Sequence, residues 1–379
     1  MSPSLSSPRI AIIGAGIIGL SCAWELANRG AQVTLFDSNF HPGRGASWAA
    51  AGMLAPAYEA AAEEGAHPRL FDLCLEGGDL WTGFAREIAE ATGRDVLHIG
   101  GPSLAVALTT QDLAAMQGLA TALNAQGIPF DVLSPDETLA HEHQVSPGNR
   151  GALLLHTDGQ VDNRLLVDTL IRALEKHPNA VFVNGEAPLV CSGNALTVAG
   201  FDEVIIAAGW QTPSVTAGDT PLGDIVPTLK TLQPVGGHML ALLRQPESPE
   251  MTLRCGSLYI VPKAGRVVVG ATVEPGVTGH EIDWDTIHGL EVAAHELCPV
   301  LKEAPIIEAW RGIRPGTPDH APMIGALGET GAFVAAGHYR NGILLAPVTA
   351  QIMADLILDR KTSELAAAFS PARFAAATA

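Results

Sequence analysis

Ile10 to Ile13 form an unbroken apolar run, Gly14 interrupts it, a mostly apolar stretch follows from Ile17 to Ala27, and Val33 to Phe36 form a second apolar run. This order predicts a strand buried on both faces, a glycine turn, a helix and a second buried strand. Ala-rich helical stretches and short Val/Ile strands then alternate along the chain, which predicts an α/β architecture. Residues from about 70 to 94 read as helix, His98 to Leu108 as strand and Thr110 to Gln126 as helix, as though a second domain were inserted. The first pattern returns at DGQVDNRLLVDTLIRALEK, where Asp162 or Asn163 can cap a helix leading to a strand at Val181 to Val183. Phe201 to Ala208 read as another strand, ending in Ala207, Ala208 and Gly209, whose small side chains suit ligand approach. Between Gln233 and Thr272 the pattern becomes VGGHMLALL, GSLYIVPK and GRVVVGAT, which predicts antiparallel strands with turns and a second sheet. Phe333 to Leu345 then read as a strand, a glycine turn and a helix that rejoin the first domain.

The first turn carries chemistry. Gly14, Gly16 and Gly19 make a GxGxxG set between strand and helix. In that setting the first glycine permits the turn, the second lets backbone approach a pyrophosphate, and the third lets helix and strand pack closely. The helix N-terminus faces the phosphates. Asp37 follows Gly19 by eighteen positions (37 − 19 = 18), at the end of the second strand, where a carboxylate accepts hydrogen bonds from the adenosine ribose. An acid there favours FAD or NAD over NADP. The run from Ile10 to Trp24 also has the apolarity of a signal-peptide core, but no basic cluster precedes it and its glycines keep nucleotide-binding spacing.

Composition narrows the classes. The 379 residues are 47% hydrophobic and 16% charged, enough for a large core and two structural domains. The apolar stretch Ile343 to Leu358 is interrupted by Pro347, Gln351 and Asp355, so no membrane span is expected. A net charge of −18 argues against a broad nucleic-acid surface. The five cysteines are scattered without CxxC spacing and the 13 histidines show no HExxH, so thiols in a reducing cytoplasm and no metal are expected. The Ser/His/Asp combinations lack a nucleophile elbow.

Four separated segments share one further pattern: the GxGxxG unit, GRGASWAAAGMLAP (43 to 56), WRGIRPGTPDHAPMIG (310 to 325) and AAGHYRNGILLAP (335 to 347). Together they resemble the D-amino-acid-oxidase-like flavoproteins, most nearly the glycine oxidases of thiamine biosynthesis, over almost the whole chain. The resemblance implies a Rossmann-type FAD-binding domain on a parallel sheet, from residues 1–80, 150–222 and 308–379. An α+β substrate domain on a largely antiparallel sheet would come from 81–149 and 223–307. FAD is expected to bind non-covalently. Ala15, Ile17 and Ile18 would approach its pyrophosphate, Asp37 and Ser38 its ribose, and Ala187 its adenine edge, since Pro188 lacks an N–H. Ala46, Ser47, Ala51, Gly52 and Met53 would line the pyrophosphate and isoalloxazine, Ala208 and Gly209 would add close backbone, and His338, Tyr339, Arg340, Asn341, Gly342, Ile343 and Leu344 would wrap the pyrimidine end. Gly342 and its neighbours, at a helix start, would stabilise negative charge on the reduced ring.

An α-amino acid offers a carboxylate, which a guanidinium fork grips bidentately. The resemblance nominates Arg314 as that fork, enclosed by Gly312, Pro315 and Gly316 and expected on a turn, with Arg340 and the Tyr259 hydroxyl as helpers. His238 and His338 are candidates for moving protons. Where relatives carry a basic residue, glycine, then Gln or Glu, this chain has Gly236, Gly237 and His238; Val273 and Ser257 also depart from the family pattern. These positions put the substrate in question. The expectation is a cytoplasmic oxidase of glycine, sarcosine or small D-amino acids, using dioxygen and giving imino acid, then 2-oxo acid, ammonia and hydrogen peroxide. Family analogy suggests a homotetramer. The alternatives are a dehydrogenase passing electrons to a carrier, a non-catalytic flavin protein and an NAD-dependent dehydrogenase.

Overall fold

In the computed structural model, which describes residues 7–38, 45–60 and 65–377, Arg9–Ile13 lies inside a six-stranded sheet. The strands run in the spatial order Met323–Ala326, Ala332–Ala336, Glu203–Ile206, Arg9–Ile13, Gln32–Asp37, Ala180–Asn184. All neighbours are parallel except the Met323–Ala326 and Ala332–Ala336 pair. The chain steps outward from Arg9–Ile13 on one side, then returns to Glu203–Ile206 on the other. That reversal opens a crevice at the carboxyl ends of these strands.

Period-two burial explains the continuous apolar run. Ile10 and Ile12 pack into one core with Val33, Leu35 and the helices Ile17–Asn28 and Asn163–Lys176, while Ala11 and Ile13 pack into another with Phe36, Val204 and Ile206. Both faces of the sheet are covered, so neither register position tolerates a polar residue.

The second sheet has nine strands and is largely antiparallel. Leu240, Leu242, Leu253, Ile260, Val267 and Val269 face the helix Trp284–Leu297. Their alternates Met239, Ala241, Val261, Val268 and Trp310 face the segment carrying Ala49 and Ala51. This sheet therefore has a helix-backed face and a face turned toward the first domain's small-residue segment.

Several boundaries moved. The strand expected over 98–108 is Ser103–Val106, the helix expected from about 70 is Leu70–Thr92, and Thr110–Gln126 is helical as read, with Thr109 and Asp112 forming a capping box. Ala152–Leu155 and Ile306–Gly316, whose first part alone fell within the expected substrate segments, both pair in the second sheet. Arg314 consequently sits in a long strand and not on a turn, because the Gly312 and Pro315 flanks pair with Gly237 and Pro234 across the ladder. The helix that follows this block begins at Ala346, so Gly342 lies in the preceding turn. Gly43 and Arg44, the start of the small-residue segment, lie outside the described residues. No helix among the described residues is long and apolar enough to cross a membrane.

Candidate active site

A cavity of about 1060 Å³ follows the crevice from the Gly14 turn to the open face of the second sheet. Single-ligand pockets span roughly 300–1,000 Å³, so this volume suits an extended dinucleotide together with a small substrate.

At the nucleotide end, Gly14 has φ +106° and a Cβ there would stand 2.5 Å from the Ala207 carbonyl oxygen. A Cβ on Gly19 would stand 1.9 Å from the Gly14 oxygen, so only glycine lets this helix approach its strand. Gly14, Ala15, Gly16, Ile17 and Ile18 line the cavity, as do Asp37, Ser38, Ala187, Ala208 and Gly209. The Asp37 carboxylate accepts the Ala15 N–H at 2.7 Å, and the Ser47 hydroxyl oxygen accepts the Ile17 N–H at 2.9 Å. Strand end, turn and small-residue segment are thereby tied at the start of the helix. Gly19 itself is away from the lining and serves the packing.

Ala46, Ser47, Ala51, Gly52 and Met53 form the middle wall. Asp162 caps the helix Asn163–Lys176, which frees Asn163 to donate to the Ser47 and Trp48 carbonyls at 2.8 and 3.1 Å. Trp310 donates to the Ala49 carbonyl at 2.9 Å, and the Arg164 guanidinium lies 3.5 Å above the Trp48 ring. The buried Lys263 donates to the Val161 carbonyl at 2.6 Å; desolvation pulls its ammonium pKa down to about 7. These four supports went unnoticed in the sequence, because each acts on a backbone more than a hundred residues away or outside any motif.

The substrate end is built on one face of the second sheet. Tyr259 pairs with Arg254 on one side and Gly270 on the other, Gly270 with Met239, and Met239 with Trp310. Directly opposed residues project to the same face, and steps of two add Gly237, Gly312 and Arg314 to it. A Cβ on Gly270 would stand 2.6 Å from the Tyr259 hydroxyl oxygen, and one on Gly237 would stand 2.3 Å from Arg314 Nη1. Gly237, where the family pattern also has glycine, is what leaves room for the guanidinium. Arg314 donates from Nη1 to the Gly236 and Thr272 carbonyls, both at 3.2 Å, and forms no ion pair within 4.0 Å among the described residues. Burial raises the Tyr259 phenol above its usual pKa, with the charges of Arg314 and Arg254 opposing, so the hydroxyl is neutral and able to donate. Ser257 and Val273 line the cavity too.

The last block divides. His338, Tyr339, Arg340, Gly342 and Ile343 line the cavity, while Asn341 turns toward Glu59 (3.4 Å) and Leu344 offers its carbonyl to Trp81 Nε1 at 2.9 Å. Asn341 and Leu344 therefore do not line the cavity: the first is spent on Glu59 and the second packs in the helical core. Arg340 is exposed, with Nη2 3.3 Å from the Tyr339 hydroxyl. His338 is buried against Thr349 Oγ1 at 3.0 Å, and desolvation pulls its pKa down to about 3. It is neutral at physiological pH and cannot serve there as a cationic acid. His238 lies off the cavity: its Nε2 accepts the Asp283 N–H at 3.0 Å and Nδ1 pairs with Glu274 at 2.6 Å. Both nitrogens are committed to holding the 274–283 connection, which removes His238 as a proton carrier.

Arg254 and Tyr58 were missed. Both line the cavity, with the Arg254 guanidinium 3.6 Å above the Tyr58 ring. A signal existed: Cys255 pairs with Leu258 across the two-residue Gly256–Ser257 turn, and such a turn sets Arg254 opposite Tyr259.

Comparison with known proteins agrees with this geometry. Residues 9–356 match the model of the DAO family, described as FAD dependent oxidoreductase. The chain is 32% identical to a glycine oxidase of Geobacillus kaustophilus (strain HTA426), covering 96% of each chain. It is also 32% identical to the bifunctional protein ThiO/ThiG of Synechocystis sp. (strain ATCC 27184 / PCC 6803 / Kazusa), covering 97% of this chain and 54% of that one. The crystal structure of glycine oxidase from Geobacillus kaustophilus superposes with TM-score 0.82 at 31% identity, over 97% of this chain and 98% of that one. The chain belongs to the DAO family of FAD-dependent oxidoreductases and is an FAD-dependent amine or amino-acid oxidase.

Proposed function

We propose that this enzyme oxidises small α-amino acids or N-alkyl glycines at Cα, with glycine, sarcosine, D-alanine and D-proline as test substrates. The observation that carries the reading is Arg314: a guanidinium in the cavity wall, with room made by Gly237, beside a neutral phenol and without a carboxylate partner among the described residues. A substrate carboxylate supplies that partner, and Tyr259 donates a second hydrogen bond to it. The relatives named glycine oxidase support the small substrate.

FAD, held along Gly14 to Ile18, Asp37, Ser38, Ala46 to Met53, Ala187, Ala208 and Gly209, supplies the two-electron acceptor without a covalent link. Arg314 and Tyr259 fix the substrate so that Cα–H is presented at about 3 to 3.5 Å, where positioning alone supplies much of the rate. The substrate binds with its amine neutral, loses hydride from Cα and a proton from nitrogen, and becomes an imino acid. Water hydrolyses that product to a 2-oxo acid and ammonia; dioxygen ends as hydrogen peroxide. His338, held neutral by burial, stabilises the turn beside the cavity by its bond to Thr349. The two-domain division, with Ala152–Leu155 and all of Ile306–Gly316 moved to the substrate domain, is part of the same reading, as are a cytoplasmic homotetramer and a place in thiamine thiazole synthesis, the latter supported by the ThiO/ThiG relatives.

Anaerobic mixing of the purified yellow protein with each test substrate, followed by timed admission of air, checks the proposal. Bleaching followed by fast reoxidation with peroxide release is expected. An unbleached flavin with all four substrates rejects the reaction, and slow reoxidation assigns the electrons to another acceptor.

A further inference from the structure

Besides Arg314 and the exposed Arg340, the cavity wall holds a third guanidinium, Arg254, that the oxidation of a simple amino acid does not use. Arg254 is 7% exposed, its Nη1 has no hydrogen-bond partner among the described residues, and it forms no ion pair within 4.0 Å among them. A guanidinium cannot shed its proton, so a buried cation without a partner is costly unless a ligand completes it. Its neighbours explain why it stays where it is. Tyr58 covers it, 3.6 Å from ring centre to guanidinium carbon, and Tyr58 is itself pinned by donating to the Gly256 carbonyl at 2.9 Å. The nearby Asp158 is already spent on the Ala57 and Tyr58 amides at 2.7 and 3.0 Å. Burial pushes that carboxyl up to about 7, with the charge of Arg254 opposing, so it is a weak counter-ion at neutral pH. Glu59 is the acidic side chain on the same wall and accepts from Asn341.

Strand register places Arg254 directly across from Tyr259, on the sheet face that also carries Arg314. The Tyr259 phenol feels the charges of both arginines. Two cation sites thus flank one hydroxyl in one cavity.

We propose that Arg254 is a second carboxylate subsite, so that the preferred substrates are amino or imino acids bearing two carboxylates, one gripped by Arg314 and the other by Arg254. This rests on the reading of Arg314 as the carboxylate grip and adds the distal contact. The class contains iminodiacetate, which is sarcosine with a carboxylate on its methyl carbon, and D-aspartate, which is D-alanine with one on its side chain. The added group meets Arg254 without altering the carbon that loses hydride.

The test compares matched pairs on the FAD-loaded enzyme. Anaerobic flavin reduction should give iminodiacetate at least a tenfold larger kcat/KM than sarcosine, or D-aspartate at least tenfold over D-alanine. In R254Q that ratio should fall to within about threefold of one, and R254K should retain part of it. A second readout needs no turnover: perturbation of the flavin spectrum should show succinate binding at least tenfold tighter than propionate to the wild type, with the preference lost in R254Q. Monocarboxylates equal to or better than their dicarboxylic partners in both readouts would overturn the subsite. Equal losses for both members of a pair in R254Q would reduce Arg254 to a structural role. Should no amine reduce the flavin while the succinate preference stands, the oxidation reading fails and the subsite survives.

Discussion

The Gly14 turn and the cavity face of the second sheet both work by omitting side chains, yet their tightest contacts span very different distances along the chain. At the turn, Gly19 clears space for the Gly14 oxygen five residues away, and Gly14 clears space for the Ala207 carbonyl of the neighbouring parallel strand, 193 positions on (207 − 14). On the sheet face, Gly237 clears space for Arg314 and Gly270 for Tyr259, partners 77 (314 − 237) and 11 (270 − 259) positions away. The tightest of these contacts, Gly19 against Gly14, belongs to a local motif. The contact of Gly237 with Arg314 exists only when the ladder of Gln233–Leu243 against Ile306–Gly316 is in register, since a slip of one residue sends Arg314 to the helix-backed face.

Several substitutions would break or sharpen this comparison. The largest effect belongs to the local turn: in Gly19→Val the first added carbon falls 1.9 Å from the Gly14 oxygen. Backbone must move, so FAD content should drop below about a tenth and stability by roughly 3 kcal/mol, as for severe overpacking. The 450 nm to 280 nm absorbance ratio and urea unfolding measure both, and normal flavin loading would contradict the close-packing account.

Next comes Arg314→Ala, which removes the carboxylate grip while sparing the turn. A lost charged contact in a desolvated site costs roughly 2 to 5 kcal/mol, or about 30- to 4,000-fold in kcat/KM at 1.4 kcal/mol per decade. FAD content should stay near wild type. A variant with unchanged kcat/KM would show that the carboxylate is held elsewhere.

Gly237→Ala tests the same contact from the neighbouring strand. Its methyl would stand 2.3 Å from Arg314 Nη1 and 2.5 Å from the Thr272 oxygen. The guanidinium must shift, and KM for the best substrate should rise about tenfold, close to 1.4 kcal/mol. An unshifted KM would separate Gly237 from the substrate site.

The smallest effect concerns pH. His338 has a folded pKa of about 3 against an ordinary imidazole value of 6.5, so the unfolded chain binds the extra proton between those values. Its neutral burial therefore adds stability as pH rises through that window and removes it as pH falls. Asp158, raised to about 7, slopes the other way between 3.8 and 7 and masks the histidine in the wild type. In His338→Gln, stability relative to wild type should improve on going from pH 6.5 toward pH 4. Parallel unfolding free energies for both proteins across that range would mean the imidazole does not titrate as described.

These regions also differ in how legible they were. The Ile10–Asp37 unit was readable because strand, turn, helix and terminal acid are consecutive, each marked by its own residue type. The Thr110–Gln126 helix was readable to its ends, since Thr109 and Asp112 announce its cap locally. Arg314 could be nominated only by resemblance, and its placement on a turn was wrong because Gly and Pro signals ignore a partner strand. His238 looked like a candidate proton carrier until both its nitrogens were found engaged with Glu274 and Asp283. Arg254 carried only the Gly256–Ser257 turn as a signal, which pairs it with Tyr259 without showing that their face of the sheet lines a cavity.

The amino-acid sequence alone determined the dinucleotide-binding unit, the alternation of helix and strand, and the presence of a second antiparallel sheet. Each depends on backbone preferences and burial periodicity acting over a few neighbouring residues. Tertiary structure decided which arginines and tyrosine share a cavity, which histidines are sealed away from it, and which glycines make room for them. Those outcomes depend on strand register and on desolvation, and both are properties of the assembled layers that no short stretch of chain possesses by itself.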